Sequence, residues 1–251
     1  MRFTETYTSG THTSIKFDIY QPNVILRYKG IIQIHHGLCE YSERYKKFAE
    51  YLSHEGFIVV VSDFPGHGTS LYKFEQGYFG KGNALDTLVE DIQRLRHIIT
   101  KRYEDLPYFM LGVDLGSLVL LKYAGVYGDY INGMILLGTC MKNSFYYRMK
   151  MIVDFNILLH GQMNHSRVIK KAIDLFLQRN LNGNYKMTNT KEVNLYMEDP
   201  LTDFVYTNQA YRDILDYIKY TSDEEHLKQI PQYLPVYLLS GCLLYTSDAA
   251  D

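Results

Sequence analysis

Tyr108-Phe109-Met110-Leu111-Gly112-Val113-Asp114-Leu115-Gly116-Ser117 joins an apolar run to a helical one. Tyr108 to Leu111 has the length and composition of a strand buried on both faces of a sheet. A helical run begins at Leu115. Between the two, Gly112 and Gly116 permit a sharp turn that lifts the side chain midway between them, Asp114, over the end of the sheet. Alone, two glycines at this spacing also fit a tight packing turn.

Reading outward, the same alternation continues in both directions. Residues 5–20, broken by Ser9-Gly10, read as a two-stranded hairpin. Apolar runs at Gly30–Ile34, Phe57–Val61, Ile131–Leu137 and Pro235–Leu239 read as strands. Helical spacing falls at Ser42–His54, with Tyr45, Phe48 and Leu52 on one face, and again at Ala84–Tyr103. Strands alternating with helices predict an α/β fold, a mostly parallel sheet with helices on both faces. The interval from Thr139 to about Tyr206 breaks the rhythm, because it holds helical patterns without a clear strand. It is too long for a plain loop and is expected to be a helical cap, about 140–206, over the carboxyl edge of the sheet.

With 251 residues, 46% of them hydrophobic, the chain is long enough to bury a substantial core. The balance of 26 basic and 28 acidic residues, net charge -2, gives no electrostatic footprint for nucleic acid. The opening residues carry no apolar run behind the first positive charge, and no stretch approaches the length of a membrane span. A soluble, cytoplasmic protein is expected. Cys39, Cys140 and Cys242 are odd in number and lack metal-like spacing, so neither a zinc site nor a disulfide framework is indicated, and no cofactor is expected.

Four further segments give the turn at Asp114 a context. His36-Gly37-Leu38-Cys39-Glu40-Tyr41-Ser42-Glu43-Arg44-Tyr45 follows the third strand, and Asp63-Phe64-Pro65-Gly66-His67-Gly68-Thr69-Ser70 follows the fourth. Tyr196-Met197-Glu198-Asp199-Pro200-Leu201 and Leu234-Pro235-Val236-Tyr237-Leu238-Leu239-Ser240-Gly241 come later. In this order they resemble the HGxxEHSxRY, DxxGHGxS, cap-exit and pre-acid segments of the monoacylglycerol lipase and lysophospholipase family, serine aminopeptidase S33-like α/β-hydrolases of lipid metabolism. The turn then corresponds to the G-x-S-x-G nucleophile elbow. The resemblance implies a small lipid or ester substrate, an oxyanion hole formed by the backbone N–H groups of Leu38 and Leu115, and transient membrane-surface contact through the cap. His36 and Gly37 would support the Leu38 loop, as Gly112 and Gly116 support the elbow. His67 would be structural, and Glu40 with Arg44 an ion-paired brace.

Three departures stand at the elbow. Asp114 replaces the nucleophilic serine, Val113 the usual histidine before it, and Leu115 the usual methionine after it. The family's acid and histidine would follow Gly241. The run Cys242–Asp251, CLLYTSDAAD, back-translates to a string resembling a sequencing-library adapter. Residues 1–241 are therefore expected to be an incomplete hydrolase domain lacking its last strand and helix, with 242–251 not native. Asp248 and Asp251 are then no candidates for the acid. Three functions remain open: an impaired ester hydrolase, a non-catalytic lipid-binding pseudoenzyme, and an aspartate-nucleophile hydrolase of epoxide hydrolase type. Cap tyrosines suit the last, while the lack of tryptophan argues against its dehalogenase relatives.

Overall fold

The computed structural model describes residues 1–240 apart from 24–26, 72, 74, 141, 143–144, 177–179, 182–183 and 186–189. The adapter-like run lies outside the described residues. Strands β1 (Arg2–Thr8), β2 (Ser14–Tyr20), β3 (Gly30–His35), β4 (Phe57–Ser62), β5 (Tyr108–Val113) and β6 (Gly133–Leu137) enter one sheet. A two-residue-per-strand hairpin, β7 (Asn180–Leu181) and β8 (Asn184–Tyr185), stands apart, and β9 (Val236–Leu239) closes the main sheet. The main order is β1-β2-β4-β3-β5-β6-β9, antiparallel across the first three strands and parallel from β4 to β9.

Sequence accounts for this division. Five of the six residues of β4, FIVVVS, are buried, as a central strand covered on both faces requires. On β1, RFTETYT, five of the seven residues are polar or charged and none is buried, which suits an edge. One face carries α1 (Lys46–His54), where Ala49 packs with Tyr20, Ile34, Val59, Val61 and Leu111. The other face carries the larger core, formed with α2 (Ala84–Arg102) and α3 (Leu115–Tyr127). In α3 the run from Leu115 to Leu120 is buried all round, so this helix is pinned against β5 from its first residue.

The structure corrects one residue of the face read for the first helix, Phe48, and bears out Tyr45 and Leu52. Ser42–Tyr45 is a 3-10 turn, with α1 proper starting at Lys46. Along α1 the inward line runs through the partly buried Tyr45 and Leu52 with the buried Ala49 and Ser53, and Phe48 at the margin of that face is 42% exposed.

Between β6 and α7 (Asn208–Thr221) lie α4 (Tyr146–His160), α5 (Arg167–Phe176), the small hairpin and α6 (Thr190–Glu198). Tyr146 and Val153 anchor α4 in the main core, where α4 packs on α7. A short α8 (Glu224–Leu227) leads towards β9, whose four residues are all exposed. No helix among the described residues is long and apolar enough to cross a membrane.

Candidate active site

Asp114 sits where β5 becomes α3, with φ 50° and ψ -108°, a backbone conformation that a non-glycine residue holds only when its surroundings impose it. Several bonds impose it here. The Asp114 N–H donates to the Leu137 carbonyl at 2.8 Å, and its carbonyl accepts from the Ser117 N–H at 3.0 Å and the Ser117 hydroxyl at 2.6 Å. Close approach explains the flanking glycines. A Cβ on Gly112 would stand 2.6 Å from the Gly116 carbonyl group, and one on Gly116 would stand 2.4 Å from the His35 carbonyl oxygen. The elbow thus presses directly against the end of β3, and the Gly116 N–H donates to the His36 carbonyl at 3.1 Å.

That contact brings the loop after β3 over Asp114. His36 is fully buried, and burial holds its pKa below the ordinary imidazole range, so the ring is neutral. Its Nε2 accepts from the Phe64 N–H at 2.9 Å, which leaves Nδ1–H to donate to the Gly37 carbonyl at 2.8 Å. The Gly37 carbonyl and the Leu38 N–H share one planar trans peptide and point in opposite directions. By holding the carbonyl, His36 therefore aims the Leu38 N–H away from itself. That N–H donates to Asp114 Oδ2 at 3.4 Å, a long contact. Gly37 fits because a Cβ there would stand 2.8 Å from Glu40 Oε1 and 3.1 Å from the Asp114 Cβ. Leu115, fully buried, opens α3 beside Asp114, with its N–H among those at a helix start that have no partner within the helix.

Glu40 and Arg44 form a brace, with Glu40 Oε2 3.4 Å from Arg44 Nε. Glu40 Oε1 also accepts the Gly37 N–H and the Tyr45 hydroxyl, each at 2.6 Å. His67 is buried and likewise held neutral by desolvation. Its Nδ1 faces the Pro65 carbonyl at 3.0 Å and its Nε2 the Tyr206 hydroxyl at 2.6 Å. Both ring nitrogens of His36 and of His67 are thus committed to structural bonds. His35 is buried with its pKa pushed down to about 3 by desolvation, and neither ring nitrogen has a hydrogen-bond partner among the described residues.

The sequence reading missed the contacts that hold Cys39, next to Leu38: the Tyr206 hydroxyl, the Phe204 carbonyl and the hydroxyl of Tyr196 in the cap-exit segment. Tyr206 lies 167 positions from Cys39 and is one of 24 tyrosines, so no local signal distinguishes it.

The family model described as serine aminopeptidase, S33, matches residues 27–242. The monoglyceride lipase of Mus musculus is 29% identical over 109 residues, covering 43% of this chain and 34% of that protein. The phospholipase YtpA of Bacillus subtilis is 34% identical over 113 residues, covering 44% of this chain and 40% of its own length. The chain spans about a third of the length of such curated relatives, 28%, 34% and 42% in three of them. Among solved structures, a thermostable carboxyl esterase from Bacillus coagulans superposes with a TM-score of 0.82 at 24% identity, over 94% of this chain and 78% of that one. This last likeness concerns the fold.

Proposed function

Because the chain belongs to the serine aminopeptidase S33 family of α/β-hydrolases, we propose that it derives from a carboxylic-ester hydrolase of monoacylglycerol or lysophospholipid type whose chemistry is impaired at Asp114. The observation that carries this reading is the contact from the Leu38 N–H to Asp114 Oδ2. In an acyl-transfer site that N–H serves the negative charge developing on the substrate's carbonyl oxygen, and one such donor is worth on the order of 3 kcal/mol. Here the Asp114 Oδ2 stands 3.4 Å from that N–H, where the substrate oxygen would have to come. An ionised carboxylate is acceptor-only and repels a second anion, so ordinary ester hydrolysis is disfavoured twice. The relatives named monoglyceride lipase and phospholipase support a lipid ester as the ligand class.

The same contact favours a second reading, a lipid-binding protein without turnover. The outer face of α4 suits either one. Met151, Phe155 and Leu158 are 71%, 61% and 80% exposed, with Arg148 exposed nearby, a mixture fitted to transient contact with a lipid surface.

The test is Asp114→Ser in the full-length protein, assayed on short-chain and monoacylglycerol esters. Near-background hydrolysis is expected from the wild type and a large gain from the serine variant. Good hydrolysis by the wild type with no gain from serine removes Asp114 from the nucleophile position. Two inactive proteins leave the lipid-binding reading.

A further inference from the structure

Cys39 adopts φ 54°, a left-handed conformation that non-glycine residues rarely hold unaided. Each of its polar atoms has a partner in the segment that returns from the helical insertion to the core. Its N–H donates to the Tyr206 hydroxyl oxygen at 2.9 Å, and its Sγ lies 3.3 Å from the Phe204 carbonyl. Its carbonyl accepts from the Tyr196 hydroxyl at 3.0 Å and the Asp203 N–H at 3.2 Å.

The direction of the bonds at Tyr206 is determined. The neutral His67 ring gives its Nδ1 proton to Pro65, so Nε2 carries a lone pair and must receive the Tyr206 O–H. The phenol oxygen is then left as the acceptor for the Cys39 N–H. The ring itself is wedged against Phe79, Phe204 and Tyr211, with centroids 5.9, 5.0 and 5.5 Å away. The next residues fix its place relative to the insertion. Thr207 N–H donates to the Gly77 carbonyl at 3.0 Å, and the Asn208 N–H to the Asn164 carbonyl at 2.9 Å, in the turn between α4 and α5.

We propose that Tyr206 is a positioning residue that couples the seating of the helical insertion to the direction of the Leu38 N–H, gripping the peptide on the far side of Leu38 from the one that His36 grips. The inference rests on the oxyanion role given to Leu38 above, and its test has a readout independent of turnover.

Amide hydrogen exchange of the full chain, with wild type, Tyr206→Phe and Thr207→Val compared, supplies it. Removing the phenol oxygen should speed exchange at the Cys39 amide by roughly tenfold or more, the scale of one lost buried acceptor, with Leu38 following. Amides of Ile34 and Val60 in the central strands should not change. Thr207→Val loosens the same junction, since the Thr207 hydroxyl bonds Gly77 and caps α7, yet leaves the phenol in place. It should leave Cys39 protected. An unchanged Cys39 amide in Tyr206→Phe, or equal opening in Thr207→Val, overturns the proposal. If Tyr206→Phe does not fold, 3-fluorotyrosine placed at 206 keeps the ring and weakens the acceptor. The Cys39 amide proton should then move upfield, and a stationary resonance overturns the proposal. In an active Asp114→Ser background, Tyr206→Phe should lower kcat by about tenfold with KM unchanged, as expected for a donor used only in the transition state. An inactive serine variant whose Cys39 amide still opens on Tyr206→Phe defeats the hydrolase reading alone.

Discussion

Gly116 is the position at which the site leaves least latitude. A methyl group there would lie 2.4 Å from the His35 carbonyl oxygen, so strand β3 or helix α3 must move. Gly116→Ala should destabilise the protein by at least about 3 kcal/mol, read as a fall in the urea midpoint. Gly125, further along α3, meets nothing closer than the Gln229 Cβ at 3.5 Å. Gly125→Ala should instead stabilise by about 0.5–1 kcal/mol, the ordinary helix preference for alanine. If both variants behave alike, the elbow does not press on β3. This part of the site was legible in the sequence because glycine spacing encodes close backbone approach. Tyr206 was not, because its partners Cys39 and His67 are brought to it only by the sheet and the insertion together.

At the scale of elements, α7 carries a buried charge problem. Desolvation, partly countered by the Gln209 amide that donates to its Oδ1 at 2.8 Å, pushes the Asp213 carboxyl up to about 7. Asp216 on the same helix adds to the rise, and Arg212 opposes it. Between the ordinary carboxylate range and pH 7 the unfolded chain is ionised while the folded one keeps its proton. Stability present at low pH is therefore lost as pH rises through that window. Asp213→Asn keeps an acceptor for Gln209 and should raise stability by on the order of a few kcal/mol at pH 7.5, but by less than about 1 kcal/mol at pH 4.5. Equal gains at both pH values would show that Asp213 is not desolvated. The strands were legible as elements because apolar runs such as Phe57 to Val61 admit few alternatives. The outward turn of Phe48 on α1 was not, since it sits at the margin between the solvent and core sides, and apolar character alone does not decide which side such a residue takes.

Across the whole molecule, the helical insertion presents one apolar side to the core and another to solvent. Tyr146 and Val153 are 1% exposed, while Ile152 and Phe155 on the same helix are 39% and 61% exposed. If the outer side meets a lipid surface, Ile152→Glu with Phe155→Glu should weaken vesicle binding of the full-length protein several-fold and leave its unfolding midpoint within about 0.5 kcal/mol of the wild type. Unchanged vesicle binding would make that face ordinary insertion surface. At the centre of the molecule Asp114 occupies the turn between β5 and α3, its Oδ2 3.4 Å from the Leu38 N–H, the position that the proposed function assigns to a nucleophile. The most direct measurement is the site of covalent labelling by a fluorophosphonate in full-length Asp114→Ser, located by peptide mass analysis. The geometry predicts no adduct on the wild type and a single adduct on the serine at position 114. An adduct on another serine in both proteins would contradict it.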